Sequence, residues 1–383
     1  MNAISFQEEL HLHLYGCLKA EDVWKLGRTR WEKRQGALVW YADEYEKAWG
    51  RRPKWETYWT EENGLERLKE DYLFLRNGNF HQFQACFNLL IALFPLSPED
   101  DSIIRYILQE YSKQNISYAE FRIPFGMSFV NNAEKSRKFL SMIASVSKEI
   151  EQDSQLDAKM VISLPRNLEL ALFHYSCLQD WKQRETNHHS QIVGVDFCGY
   201  EEDSKPEDFI PLFERIKRDN LKYPEKTLSI LYHVGESFQT IPLEESIRRI
   251  KSAHDLGVHR LGHALSLGID TSYLQTYDKT RKQELHRLQE DTMDYLRERE
   301  AVIESCPISN CRIGNIEEAG KHPLKRFLEK NLRVVISSDD PGIFNSSLQN
   351  EIDFSLQNSL IEEKHLSHLS KIAYQSRSFK SEI

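Results

Sequence analysis

The feature that most constrains the fold of this chain is an alternation. Eight short, β-rich apolar runs recur along it: "EELHLHL" (8–14), "SYAEFRI" (117–123), "KMVISL" (159–164), "QIVGVDF" (191–197), "LSILYHV" (228–234), "HRLGH" (259–263), "AVIESC" (301–306) and "LRVVISS" (332–338). Longer stretches with helical spacing lie between most of them, such as "EESIRRIKSAHDLG" (244–257) and "HPLKRFLEKN" (322–331). Strands covered on both faces by crossover helices read as near-continuous apolar runs, so the alternation predicts a parallel sheet. Eight strand-plus-helix units describe an α/β fold, the TIM (β/α)8 barrel, whose functional residues gather at the C-terminal strand ends. The rival is an open doubly wound sheet. No G-x-G-x-x-G follows the first run, and the count of eight favours the barrel.

The length of 383 residues suits one large barrel or two ordinary domains. With no internal repeat and no low-complexity linker, residues 1–383 read as a single unit. One part is irregular: a long helical excursion, about residues 20–116, separates the first run from the second. It holds six of the seven tryptophans (Trp24, Trp31, Trp40, Trp49, Trp55 and Trp59), interleaved with Arg28, Arg30, Lys33, Arg34, Arg51, Arg52 and Lys54. Such a segment either builds a small core behind a solvated charged face or lies over the barrel mouth as a lid.

The formal charge of −9 argues against a general nucleic-acid binder. The six cysteines are scattered without a C-x-x-C pair, which fits reduced thiols in a cytoplasmic protein. The opening "MNAISFQEEL" lacks a signal-peptide pattern and no apolar run approaches transmembrane length, so no membrane association is expected.

Chemistry enters with "ELHLHLYGC". In a strand, residues i and i+2 share a side, so His11 and His13 project together. Paired imidazoles suit zinc, but an H-x-H pair alone is a weak signal and needs further ligands. Polar residues recur at other strand ends: His233 and Glu236 in "YHVGE", His263 in "RLGH", Asp339 and Asp340 in "SSDDP". A lone histidine after a strand is usually structural, and D-D-P is usually a turn or cap. The conjunction is what carries weight, because a barrel would gather all of these at one mouth.

These segments resemble the adenosine deaminase family. "ELHLHLYG", "HVGE", "RLGHA", "CPISN" and "SSDDP" stand in that family's order and approximate spacing, with "YAEFR" (118–122) and "VDFCGYE" (195–201) similar to its second- and fourth-strand segments. The resemblance runs from about residue 8 to 345, with a weaker match near "IAYQSRSF". It implies one Zn2+ per chain, held by His11, His13, His233 and Asp339, with a water completing the site. The metal would lower that water's pKa toward neutrality. His263 would orient and deprotonate the water, and Glu236 would hydrogen-bond purine N1 and protonate it as hydroxide attacks C6. Asp340 would bond N7 and the Gly199 N–H would bond N3. The implied reaction is hydrolytic deamination of adenosine or a close adenine nucleoside to an inosine-type product and ammonia. Free adenine, a 5′-modified adenine nucleotide, and a non-catalytic purine-binding barrel are the alternatives. The expected partner is a small purine, with the oligomeric state open.

Departures sharpen the reading. The H-x-E…P-C-x-x-C pattern of cytidine-type deaminases is absent, and "CPISNC" has the wrong spacing to replace it. "VDFCGYE" lacks the lysine that two-metal relatives carry after the fourth strand. Cys306 and Cys311 are not expected as ligands, because the tetrahedral set is already filled. Tyr15 stands where typical members carry an aspartate that contacts the ribose 5′-hydroxyl. A phenol can donate a hydrogen bond there and removes a charge that would repel a 5′-phosphate; alternatively it packs beneath the excursion.

Overall fold

The protein is described by a computed structural model covering residues 6–271 and 277–378. The first five residues of "MNAISFQEEL", the last residue of "IAYQSRSF" and both ends of the 1–383 span lie outside the described residues. All eight apolar runs form strands: β1 (Glu8–His13), β2 (Tyr118–Pro124), β3 (Asp157–Ser163), β4 (Ile192–Asp196), β5 (Ser229–Val234), β6 (Arg260–His263), β7 (Val302–Ser305) and β8 (Arg333–Ile336). They lie side by side in chain order, and each paired neighbour is parallel. β1 meets the segment after β8 through a bridge between Leu12 and Asp339. The His13 N–H donates to the Asp339 carbonyl at 2.9 Å and the Asp339 N–H to the His11 carbonyl at 3.0 Å. The architecture is a TIM barrel.

The crossover helices follow from local sequence. The helix Leu243–Asp255 begins after Pro242 and places Glu244 and Glu245 in its first turn, where the positive end of the helix dipole favours them. Leu243, Ile247, Ile250 and Ala253 fall on one face and are buried. Each larger apolar side chain so placed contributes roughly 1.5–3 kcal/mol of gross burial energy. Gly257, with φ of +90°, lets the chain turn out of the helix toward β6.

Barrel interiors are ordinarily filled by branched apolar side chains, but this one is largely ionic. Arg122, Arg260, Glu120, Glu304 and Asp196 are all buried. Glu304 accepts from Arg122 Nη2 and from Arg260 Nε, each at 2.6 Å. Arg260 also pairs with Glu120, and Arg122 Nε lies 3.3 Å from Asp196. Charges removed from water persist only when paired in this way.

The excursion folds as helices, among them Gln35–Trp49 and Phe80–Leu93. Inside it Trp31 stacks on Trp59 with ring centroids 5.9 Å apart, and Tyr58 donates to Asp71 at 2.5 Å. Its apolar residues and those of the barrel form one continuous cluster. Main-chain bonds tie the two together: Phe74 N–H to the Ile343 carbonyl at 2.9 Å, and Gly78 N–H to the Arg312 carbonyl at 2.8 Å. Among the described residues, no helix is long and apolar enough to cross a membrane.

Candidate active site

The C-terminal strand ends open into a cavity of about 630 Å³ lined in part by His13, His233, Glu236, His263, Asp339 and Asp340. Near its base, His11, His13, His233 and Asp339 each offer one ligand atom, and these atoms lie within 4.8 Å of one another. His11 and His13 do share a side, although the β1–β2 register shifts between Glu9 and Leu12. Asp339 Oδ1 is 3.4 Å from Nε2 of both His11 and His13. The polar residues singled out at strand ends therefore converge. Gly199, whose φ is +88°, also lines the cavity.

The donor set suits a cation. His11 Nδ1 lies 2.8 Å from Glu304 and His233 Nδ1 lies 3.1 Å from Asp196, so each carboxylate holds a proton on Nδ1 and leaves a lone pair on Nε2. The buried Nε2 of His11 has no hydrogen-bond partner. Nε2 of His13 and Nε2 of His233 are 3.2 Å apart. With the His233 proton on Nδ1, a proton on His13 Nε2 bridges the two, and a bound cation would take that proton's place. Burial first, then the neighbouring imidazoles, pull His13 down to about 3 despite the opposing charge of Asp339. Burial also lowers His233. Burial opposes ionisation of Asp339, yet the surrounding imidazoles hold its carboxyl well below the usual range. Burial opposes a charge on His11, but Glu304 and Asp339 raise it, so a proton and a metal compete for that ring. Three imidazoles with one carboxylate are a donor set that zinc takes. Cys306 also comes close to His263 and Asp339, but burial pushes its thiol well above its ordinary value, and a protonated thiol is a poor ligand.

Beside this set stand two carboxyl groups of the other character. Burial, then the charges of Asp339 and Glu201, raise Glu236 well above the ordinary carboxylate range. Burial and the adjacent Asp339 raise Asp340 in the same way. Both are acids poised to donate. Glu236 Oε1 and Asp340 Oδ1 are buried without a hydrogen-bond partner, as expected of atoms that await a ligand. Gly16 packs so closely on Asp340 that a Cβ would lie 1.8 Å from its Oδ1. His263 and Asp339 both have φ of +63°, a left-handed strain that functional sites commonly retain.

Several supporting residues escaped the sequence reading. Glu201 accepts from three successive N–H groups, Gly235 at 2.8 Å, Glu236 at 2.7 Å and Ser237 at 2.9 Å, and so fixes the turn that carries Glu236. Ser309 donates to Asp339 Oδ2 at 2.6 Å. Asn310 takes the Cys306 N–H on its amide oxygen, which directs its NH2 to His263 Nδ1 at 2.8 Å. The neutral ring of His263 then carries its proton on Nε2. Glu304, Asp196 and Arg122 had a legible signal, since each is a charge inside an apolar strand run.

Tyr15 lines the cavity with its ring, but its hydroxyl donates to the Phe94 carbonyl at 2.5 Å. The donor that the sequence offered to a substrate is spent on the excursion. Most of the seven basic residues of the excursion are exposed, as in a solvated charged face. Arg51 pairs with Asp71, Arg52 with Asp43 and Glu46, and of the seven only Arg34 lines the cavity. The helices Gln35–Trp49 and Phe80–Leu93 contribute Ala37, Trp40, Phe83 and Phe87 to its walls.

The adenosine deaminase family model matches residues 62–382, a span that begins after the histidines of β1. The adenosine deaminase of Plasmodium falciparum is 24% identical over 282 residues, covering 73% of this chain and 67% of that one. The N6-methyl-AMP deaminase of Arabidopsis thaliana superposes with a TM-score of 0.64 at 18% identity, covering 98% of this chain and 93% of that one. An amidohydrolase from Burkholderia ambifaria with bound Zn superposes with a TM-score of 0.64 at 16% identity, covering 98% and 86%. The chain belongs to the adenosine deaminase family, whose members are hydrolases of C–N bonds.

Proposed function

We propose that the protein hydrolyses the 6-amino group of an adenine nucleoside, with one zinc held by His11, His13, His233 and Asp339. The observation that carries this reading is the pairing, in one cavity, of a clustered donor set, three imidazoles and one carboxylate, with two buried carboxyl groups that burial raises above their ordinary range. Bound zinc would supply a water acidified toward neutral pH and a polarising charge. The remaining work falls to the chain's own side chains.

Glu236 donates its carboxyl proton to N1, which draws electron density from C6 as the water oxygen adds there. Protonated Asp340 donates to N7, and the Gly199 N–H meets N3. His263, neutral because burial holds it well below its ordinary value, presents Nε2–H to the attacking oxygen and orients it. In this tautomer it is a positioning donor; deprotonating the water would require the proton to move to Nδ1. The C6–O bond forms; one proton of the water reaches N6 as the C6–N6 bond breaks and ammonia leaves, the other restores the Glu236 carboxyl, and N1 keeps the proton that Glu236 gave it. The excursion serves as a lid that keeps bulk water from the cavity.

Metal analysis together with ammonia release from a purine panel tests the proposal. About one zinc per chain and purine-dependent ammonia are expected. Glu236→Gln should retain metal and lose roughly 10²-fold or more in rate, since the shape remains and the transferable proton does not. Near-normal turnover in that variant removes Glu236 from the mechanism.

A further inference from the structure

The cavity is divided by polarity. Its floor holds the titratable groups described above, whereas its outer walls are Phe83, Phe87, Ile91, Phe94, Leu96 and Phe125. At the mouth, Trp40 is 41% and Met127 82% exposed. Arg34, Gln84 and Ser128 are the polar side chains of this half. Arg34 Nε is engaged by the Ala92 carbonyl at 2.8 Å, and Gln84 Nε2 by Asn88 at 3.0 Å.

The geometry of a purine decides which part of a substrate meets these walls. With C6 toward the metal ligands and N1 at Glu236, N9 lies on the opposite side of the ring system. The sugar therefore leads away from the floor and into the apolar half. A substituent on the amine would point the other way, toward the buried charges. Beside the end of β1 the sugar meets Tyr15, whose hydroxyl is already committed to Phe94. A 5′-hydroxyl there faces ring and alkyl surface, and a 5′-phosphate would bring its charge among aromatic walls. Arg34, engaged by Ala92, is the guanidinium that lines this half of the cavity, and Arg30 lies 5.7 Å over the Phe94 ring without lining the cavity.

We infer that the substrate is an adenine nucleoside carrying an apolar group on C5′, of alkyl or alkylthio type. This rests on the deaminase reading above. A hydroxyl left without a partner in a desolvated pocket loses specificity, and an apolar group of methylthio size that fills the pocket gains it, each by roughly tenfold.

The test measures kcat/KM for adenosine, 5′-deoxyadenosine, 5′-methylthioadenosine and AMP on the protein with its metal bound. The expected order is methylthio, then deoxy, then adenosine, then AMP, with roughly tenfold or more between the first and adenosine. Adenosine equal to or better than the methylthio compound, or AMP in first place, overturns the inference and leaves the deaminase reading intact. Ammonia from none of the four overturns the deaminase reading instead. Calorimetric binding of 5′-methylthioinosine against inosine reads the apolar half without turnover, and equal affinities overturn the inference. Phe87→Ala, at a half-buried wall position, should lower the methylthio-to-adenosine ratio by about threefold or more, with Ile91→Ala as a second variant of the same wall. An unchanged ratio in both counts against an apolar subsite.

Discussion

Replacing Glu201 by Gln isolates the residue that holds the Glu236 turn. The carboxylate accepts from Glu236 and Ser237 on Oε1 and from Gly235 on Oε2. A glutamine amide oxygen placed at Oε1 keeps two of these bonds, while its NH2 faces the Gly235 N–H. Hydrogen bonds to charged groups contribute about 1.5–3 kcal/mol and neutral ones about 1 kcal/mol. One bond lost and two weakened then cost roughly 3–5 kcal/mol within the turn. Part of that loss appears in urea denaturation, and the rest as a displaced Glu236; a shift near 1 Å at a catalytic group costs on the order of 10²-fold in kcat. A second readout comes from charge. Burial and Asp339 raise Glu236 most, and Glu201 adds to them. Removing that charge lowers the Glu236 pKa, so its acid form is lost at lower pH and the alkaline limb of the kcat profile moves down. The assays are kcat from about pH 5 to 10 by ammonia release and urea midpoints of both proteins. A variant with wild-type kcat, limb and midpoint refutes the role given to Glu201.

Asn310→Asp should turn the His263 ring, because an acceptor facing Nδ1 draws the proton there; a rate loss of roughly 10²-fold or more with zinc retained is expected, and unchanged rates would show that the tautomer is immaterial. Gly16→Ala drives a methyl into Asp340 and should lower kcat/KM by roughly 10²-fold with little change in metal content, as measured on the same panel. Glu351 is raised to about 8, chiefly by burial. Its folded-state pKa exceeds the unfolded value, so the native state holds the extra proton; this contribution to stability is complete below pH 4.5 and is lost as pH rises through 8. Denaturation at about pH 4 and 8.5 should show Glu351→Gln close to wild type at the lower pH and more stable at the higher. On the zinc reading proposed above, chelation should lower the melting temperature by several degrees, in line with roughly 4 kcal/mol of linkage at a thousandfold excess over Kd, and an unchanged melting temperature would count against that reading.

What the sequence disclosed followed from periodicity and position. The strands of this barrel are largely buried on both faces, so apolar residues dominate the face toward the helices, and the strand runs and the polar residues at their ends stand out. His233, His263 and Asp339 were legible for this reason. Tyr15 was visible as a departure, but its partner Phe94 lies 79 residues away and bonds through a backbone carbonyl, which no side-chain pattern reports. The excursion was legible only as alternatives. Its basic residues fitted either a solvated charged face or a lid, and no spacing tells that the helices spend Arg51 and Arg52 on nearby carboxylates and turn aromatic side chains to the cavity. The ionic barrel interior was readable only as isolated charges, because Glu304 and Arg122 are paired across 182 residues.

The bridge between Leu12 and Asp339 joins the beginning of the chain to its far end. On a ribosome adding roughly 5–20 residues per second, Asp339 emerges some tens of seconds after His13. Through that interval the nascent chain holds His11 and His13 without their carboxylate, and β1 has an unpaired edge where β8 will lie. A metal ion captured early would meet an incomplete set, so tight retention becomes a property of the finished chain. Loss of the last strand should therefore release the ion even where most of the barrel has already formed. Metal retention in truncated nascent chains would then date the closure of the barrel during synthesis.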